Sequence, residues 1–310
     1  MENDKPLDPS VPIKTDGITC YKSLFYIILI VLTILLLYVI YITVNPTVPI
    51  KYIKNKFHIA GDVEIEQDAT SIRLFTATVE LPNTPPTTFS HNIYYSTKDT
   101  NQKNKLIIDL PGGAFINSSN TLKPYIHAPD LDIDVVSIEY PTLPKGTAFK
   151  VINFIEQAIQ SIIDEYKTKW NTELFEIYIS TASAGSYYGV KIINNNKFIN
   201  YIKKFTAVSG YFGYKTIDNL ITAIGDKVYL RKLQTTSILD CKPLQDGIIE
   251  TFYAVADNDI LKTSTLTFLR LTNQDLNART YYGTGHCFYT HYNSLDTQKY
   301  YKDYVDFIKN

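Results

Sequence analysis

The chain of 310 residues is 45% hydrophobic and 20% charged, which is enough apolar material for one substantial core with a short appendage. Its 30 Lys and Arg against 31 Asp and Glu leave a net charge of −1, so it carries no basic footprint for nucleic acid. The 3 cysteines, Cys20, Cys241 and Cys287, are too scattered for a disulfide framework, and none has a metal-ligand spacing.

Residues 1–22 are polar, with Pro6, Pro9 and Pro12 and no apolar periodicity, and read as a tail. From Ser23 to Val44 the sequence runs SLFYIILIVLTILLLYVIYITV without a charge, long enough to cross a bilayer as a helix. The run exceeds the apolar stretch of a cleaved signal peptide, and no small-x-small site follows it. It therefore reads as an uncleaved single-pass anchor. The flanking cations balance: Lys5, Lys14 and Lys22 precede the segment, and Lys51, Lys54 and Lys56 follow it, so they do not set the side on which the rest of the chain lies. Pro46 and Pro49 open a linker over 45–70, and 71–310 reads as one globular domain.

Within that domain β-rich runs alternate with amphipathic stretches, the pattern of a mostly parallel sheet covered by helices on both faces. Strands are expected at Ser71–Leu81, Asn92–Ser96, Lys105–Leu110, Asp134–Tyr140, Phe175–Ser180, Lys204–Ser209, Ile248–Ala256 and Ala278–Tyr282. Helices are expected at Thr147–Tyr166, where Phe149, Ile152, Ile155, Ile159, Ile162 and Ile163 form one stripe, and at Ala184–Asn194, Leu261–Leu271 and Ser294–Lys309.

The loops after three of these strands carry reactive side chains. FEIYIS runs into Thr181-Ala182-Ser183-Ala184-Gly185 and a helix, the context in which a tight turn exposes a serine hydroxyl. KLIIDL ends in Pro111-Gly112-Gly113-Ala114-Phe115, whose backbone N–H groups could serve an oxyanion, a contribution of ~3–4 kcal/mol per donor in other enzymes. Further on come Asp257-Asn258-Asp259-Ile260-Leu261 and Gly283-Thr284-Gly285-His286-Cys287-Phe288. Alone, an Asp after a strand is usually a helix cap and a His is usually structural. In the order Ser, Asp, His, each past the end of a strand, they have the chain order of an α/β-hydrolase triad.

Taken together these stretches resemble the α/β-hydrolase superfamily, specifically the esterases similar to hormone-sensitive lipase and arylacetamide deacetylase. PGGAF resembles that family's HGGGF, VVSIEYPTLP at 135–144 its V-x-Y-x-L-x-P, and TASAG its GDSAG. Asp259-Ile260-Leu261 resembles its D-x-L, and His286 is followed two residues later by Phe288, as in the family. The resemblance covers roughly 100–310. It implies an α/β-hydrolase fold behind one transmembrane helix, with Ser183 as nucleophile, His286 as general base and then acid, and Asp259 orienting the imidazole. It also implies oxyanion amides from Gly113, Ala114 and Ala184, no metal or organic cofactor, and a lipophilic ester as substrate beside a membrane. Asp257 is a rival for the acidic role, though the Asp-x-Leu spacing favours Asp259.

Four departures stand out: Pro111 for the loop histidine, Ala114 for a glycine, Thr181 for the first elbow glycine and Ala182 for an acidic residue. Ala114 is expected to be strained if its φ is positive, and Thr181 to crowd the elbow. The competing readings are an amidase or arylformamidase on the same triad, a catalytically inactive hydrolase-fold protein with a binding or structural role at the membrane, and a lipid-binding pocket without turnover.

Overall fold

The structure, a computed structural model, describes residues 21–41, 104–115, 118, 131, 133–142, 151–168, 176–212, 244, 249–291 and 293–310, together with the backbone of 16–20, 42–44, 72–79, 87–94, 148–150 and 169–170. The expected linker at 45–70 and Cys241 lie outside the described residues. Contacts divide the chain into two units, Met1–Pro49 and Ile50–Asn310.

The described residues of the first unit form one helix, α1 (Asp16–Val44), which begins ahead of the apolar run, so the end of the polar tail is helical. Extending a formed helix costs little per residue. Tyr21–Tyr41, 21 residues, carries the apolar stretch and is not buried against protein. At ~1.5 Å per residue it rises about 30 Å, enough to span a membrane. Thr33 donates its hydroxyl to the Leu29 carbonyl at 2.8 Å, so it leaves no open polar group on this surface.

The second unit is built on an 8-stranded sheet of order β1-β2-β4-β3-β5-β6-β7-β8. Its strands are β1 (Ile72–Val79), β2 (Thr87–Tyr94), β3 (Lys105–Leu110), β4 (Asp134–Ile138), β5 (Glu176–Ala182), β6 (Ile202–Val208), β7 (Glu250–Asn258) and β8 (Ala278–Gly285). From β4 to β8 every neighbouring pair is parallel, whereas β1 and β2 add an antiparallel edge. The helices are α2 (Ala148–Trp170), α3 (Ala184–Asn194), α4 (Lys262–Leu271) and α5 (Leu295–Lys309). The element expected at Asn92–Ser96 lies earlier, at Thr87–Tyr94, because the polar run Ser90-His91-Asn92 hides a strand that pairs residue by residue with β1.

Alternation along the strands sorts the core into two layers. Leu106, Ile108 and Leu110 face one side with Ile155, Ile159 and Ile162 of α2 and Val190 of α3, all but 2% or less exposed. The periodic stripe of α2 is thus its buried face, at ~1.5–3 kcal/mol for each fully buried aliphatic side chain. Ile107, Val135 and Ala254 face the other side, under Tyr300, Tyr301 and Tyr304 of α5.

That second layer is not wholly apolar. Ser137 donates to Asp109 Oδ2 at 2.7 Å, Thr206 donates to Ser180 Oγ at 3.1 Å, and the Tyr304 hydroxyl reaches the same Ser180 oxygen at 3.3 Å. Buried Lys204 at the start of β6 donates to the Phe307 carbonyl at 2.7 Å, stands 3.4 Å from Glu250, and sits over the Tyr178 and Phe307 rings. The cation is therefore compensated on every side that it presents to protein.

Strand and helix meet most closely at the start of α3. A Cβ built on Gly185 would lie 2.0 Å from the Leu110 carbonyl oxygen and 2.8 Å from that of Pro111. Both contacts are backbone and neither can swing away. Gly185→Ala is therefore expected to destabilise the fold by ~3 kcal/mol or more, seen as a lowered thermal midpoint of the detergent-solubilised chain, whereas Gly283→Ala meets open space and costs only the ~1–2 kcal/mol of a side chain held at φ 71°.

Candidate active site

β5 ends at Ala182, and α3 starts at Ala184, leaving Ser183 to make the whole turn. It does so with φ 46° and ψ −119°, a conformation costly for a residue with a side chain. The turn is held on both sides: Ser183 donates its N–H to the Val208 carbonyl at 3.0 Å, and its carbonyl accepts from Ser186 at 3.1 Å and Tyr211 at 2.9 Å. Because its own amide is committed to Val208, an anion at the Ser183 side chain must look to Ala184, the first residue of α3, whose N–H has no intrahelical acceptor.

Thr181 does not crowd this turn as its β-branched side chain suggests. Its hydroxyl donates to the Thr206 carbonyl at 2.8 Å and lies 2.9 Å from Ser186 Oγ. Its methyl fills the space beside Gly189, where a Cβ would come within 2.7 Å of it. The bulk missing at Gly189 accommodates the bulk added at Thr181.

The loop after β3 passes directly over the serine, since a Cβ on Gly112 would lie 2.9 Å from the Ser183 Cβ. Gly113, Ala114 and Phe115 have φ of 136°, 52° and 62°. The strain expected at Ala114 is present, and Phe115 adds a second strained residue that the motif did not reveal. Anchors offset it: the Phe115 ring packs edge-on against Tyr187, Tyr188 and Tyr211 at 5.5–5.9 Å, and the buried Tyr140 hydroxyl donates to the Pro111 carbonyl at 2.5 Å. Ser118 continues the anchoring, donating to the Tyr140 carbonyl at 2.5 Å.

From the far side of the sheet, the ends of β7 and β8 bring in the other two groups. His286 Nε2 is 3.2 Å from Ser183 Oγ, and His286 Nδ1 is 2.9 Å from Asp259 Oδ1. The same carboxylate oxygen accepts the Leu261 N–H at 2.8 Å. The Asp259 side chain is 1% exposed and that of His286 26%, so the acid is sealed in while the ring keeps one face open. Asp257 does something different. Its Oδ1 accepts the Thr284 N–H at 3.0 Å, with the Gly283 and Asn258 amides also turned to it, and these donors hold its carboxyl below the usual range. It clips β8 to the irregular end of β7, where the register slips between Ala256 and Asn258, just before the histidine.

Charge follows geometry. Burial works against ionising Asp259, but the hydrogen bond and charge of His286, with Ser209 and the Leu261 amide, outweigh it and hold its carboxyl below the ordinary value. Burial likewise disfavours a charged His286, yet the hydrogen bond to Asp259 and the adjoining Cys287 sulfur push it up to about 10. Among the described residues no group of three or more potential metal ligands occurs. Of the residues singled out in the sequence, the structure brings Ser183, His286 and Asp259 into one hydrogen-bonded line, with Gly113, Ala114 and Ala184 on the elements flanking the serine.

No protein-family model matches this sequence, and no curated protein matches it. Solved structures do. The chain is similar to an esterase of Rhizomucor miehei (15% identity, 84% of this chain and 90% of that one, TM-score 0.55) and to an esterase of Pyrobaculum calidifontis (13%, 84% and 92%, TM-score 0.59). It is also similar to a thermostable carboxylesterase cloned from a metagenomic library (15%, 75% and 86%, TM-score 0.54). At these identities the likeness establishes the fold, which is that of the α/β-hydrolases.

The raised His286 value fixes a sign for stability. Protonated His286 favours the folded state below its ordinary value of 6.5, and that contribution fades as pH rises through about 10. Denaturant unfolding of the full chain should therefore show stability falling between pH 7 and 10 more steeply in the wild type than in Asp259→Asn, where the carboxylate partner is gone. A slope unchanged by Asp259→Asn would contradict the pairing.

Proposed function

We propose that this α/β-hydrolase is a membrane-anchored serine esterase in which Ser183, His286 and Asp259 act together. The observation that carries the reading is the unbroken line from Ser183 Oγ to His286 Nε2 at 3.2 Å and from His286 Nδ1 to Asp259 Oδ1 at 2.9 Å, set on a turn strained to φ 46°. Strain of that kind persists where the surroundings impose it, and here it holds a hydroxyl against an imidazole.

In the proposed reaction the Ser183 hydroxyl gives its proton to His286 Nε2 as its oxygen bonds to the ester carbonyl carbon. The carbonyl oxygen becomes an oxyanion, met by the N–H groups of Ala184 and of the Gly113-Ala114 loop. Collapse breaks the bond to the alcohol oxygen, which takes the proton from His286 and leaves an acyl-serine. Water then repeats the sequence: its proton passes to His286, its oxygen bonds to the acyl carbon, and the bond to Ser183 breaks as Ser183 Oγ takes the proton back from His286 and the acid departs. Asp259 holds the Nδ1 proton in place and stabilises the imidazolium formed twice per cycle.

Substrate class follows from α1 and from the aromatic surroundings of the serine turn. Phe115, Tyr187 and Tyr211 pack on one another, Tyr211 donates its N–H to the Ser183 carbonyl, and a helix with the length and composition of a membrane span precedes the domain. Together they favour lipophilic esters drawn from a bilayer. The esterase neighbours support ester rather than amide cleavage.

Three results test this. A fluorophosphonate probe should label the full chain in detergent and not Ser183→Ala, whose turnover of a p-nitrophenyl ester should fall by ~10³-fold or more. Labelling that survives the substitution, or none in the wild type, would sink the assignment. Because the neutral ring must accept the proton while the resting ring titrates near 10, ester turnover should climb with pH through 7 to 10. The full chain should stay with the membrane pellet on alkaline extraction, and its release would refute anchoring by α1.

A further inference from the structure

One buried oxygen of the acidic residue has no role in the line to the serine. Asp259 Oδ1 accepts from both His286 and Leu261, yet Asp259 Oδ2 is fully buried and has no hydrogen-bond partner among the described residues. The Ser209 hydroxyl is in the same condition, fully buried and without a partner. These two atoms belong to neighbouring side chains, close enough for the Ser209 hydroxyl to favour the ionised carboxyl of Asp259. Buried polar atoms without partners are rare, and finding an acceptor and a donor orphaned together at one site points to a joint function.

Ser209 is also strained. It follows β6 directly, donates its N–H to the Ala254 carbonyl at 2.9 Å, and adopts φ 49°. A glycine would take this conformation without cost and would remove the orphan hydroxyl as well. Gly210 is the very next residue, and its carbonyl is held by the Thr265 hydroxyl at 2.7 Å, so the backbone here is fixed independently of the serine side chain.

We propose that Ser209 is a positioning residue, and that its hydroxyl donates to Asp259 Oδ2 and fixes the rotation of the carboxylate that orients His286. This rests on the reading of Asp259 and His286 given above. While the imidazole is neutral the carboxylate bears its full charge, and the Ser209 hydrogen bond is strongest; once the imidazolium forms, the charge is shared and the bond weakens. Loss of the hydroxyl therefore leaves the ring more basic and the carboxylate free to turn.

The test is Ser209→Gly and Ser209→Ala in the full chain in detergent micelles, with two separate readouts. In the first, the His286 ring is titrated by ¹³C NMR, which needs no turnover. Both variants should raise its midpoint by roughly half a unit or more. In the second, p-nitrophenyl ester turnover should fall about tenfold or more in kcat with KM within about twofold, the size of effect expected of a group that orients a ligand from behind. Ser209→Gly should at the same time raise the thermal midpoint, because strain is relieved, so that slower turnover cannot be ascribed to a weakened fold. An unshifted His286 midpoint in both variants overturns the proposal. A shifted midpoint in a protein that shows no turnover and no probe labelling leaves Ser209 in this role while refuting the esterase reading.

Discussion

The first turn of α3 is pressed against the end of β3 until only hydrogen separates them, and the shape of the site follows from that contact. With the Gly185 Cα against the Leu110 carbonyl, the chain has one residue, Ser183, in which to reverse from strand to helix. The reversal drives Ser183 to a positive φ and lifts its side chain clear of the sheet. The same closeness lays Gly112 against Ser183, so the loop that flanks the hydroxyl is set by the packing of β3 against the start of α3.

Much of this could be read from the residues before any coordinates. Strands β3 and β5 to β8 are short β-branched runs that end in Gly, Ser, Asp or His, and α2 announces itself by its isoleucine spacing. Order along the chain placed Ser183, Asp259 and His286 at the same end of one sheet. The Asp-x-Leu spacing favours Asp259 over Asp257, but not for the reason seen in the structure, where a register slip at the end of β7 turns one carboxylate to the backbone of β8 and the other to the imidazole. Sequence could not show that Thr181 is harmless, since the compensating absence of a side chain lies eight positions on, in the second turn of a helix, at Gly189. Ser209 escaped notice for a similar reason. A serine after a strand is unremarkable until its φ and its unpartnered oxygen are known.

Three residues with side chains, Ala114, Phe115 and Ser183, hold left-handed backbone within one small region. Each is tied by a different kind of force. Phe115 is caught among three tyrosine rings, and Ser183 is stitched by backbone bonds to β6 and Tyr211, while Ala114 lies between a glycine and that ring cluster. The departures from the related motif therefore do not accumulate into a collapsed site. They shift the burden of shaping the loop from glycine freedom to aromatic packing.

The segment that carries His286 is moored twice over. On the strand side Asp257 grips the Thr284 amide, and on the helix side α5 reaches back, with Thr297 donating to the Phe288 carbonyl at 2.7 Å and Tyr301 to that of Tyr289 at 2.5 Å. α5 is itself registered on the sheet by the Tyr304 bond to Ser180 and by Lys204 at its last turn. To slide along its axis by one turn, the helix would have to orphan all of these groups in a dry interior at once. The imidazole is thus suspended like a footbridge whose two piers stand on the same foundation, and its distance from the serine is a property of how the carboxy-terminal helix is seated on the back of the sheet.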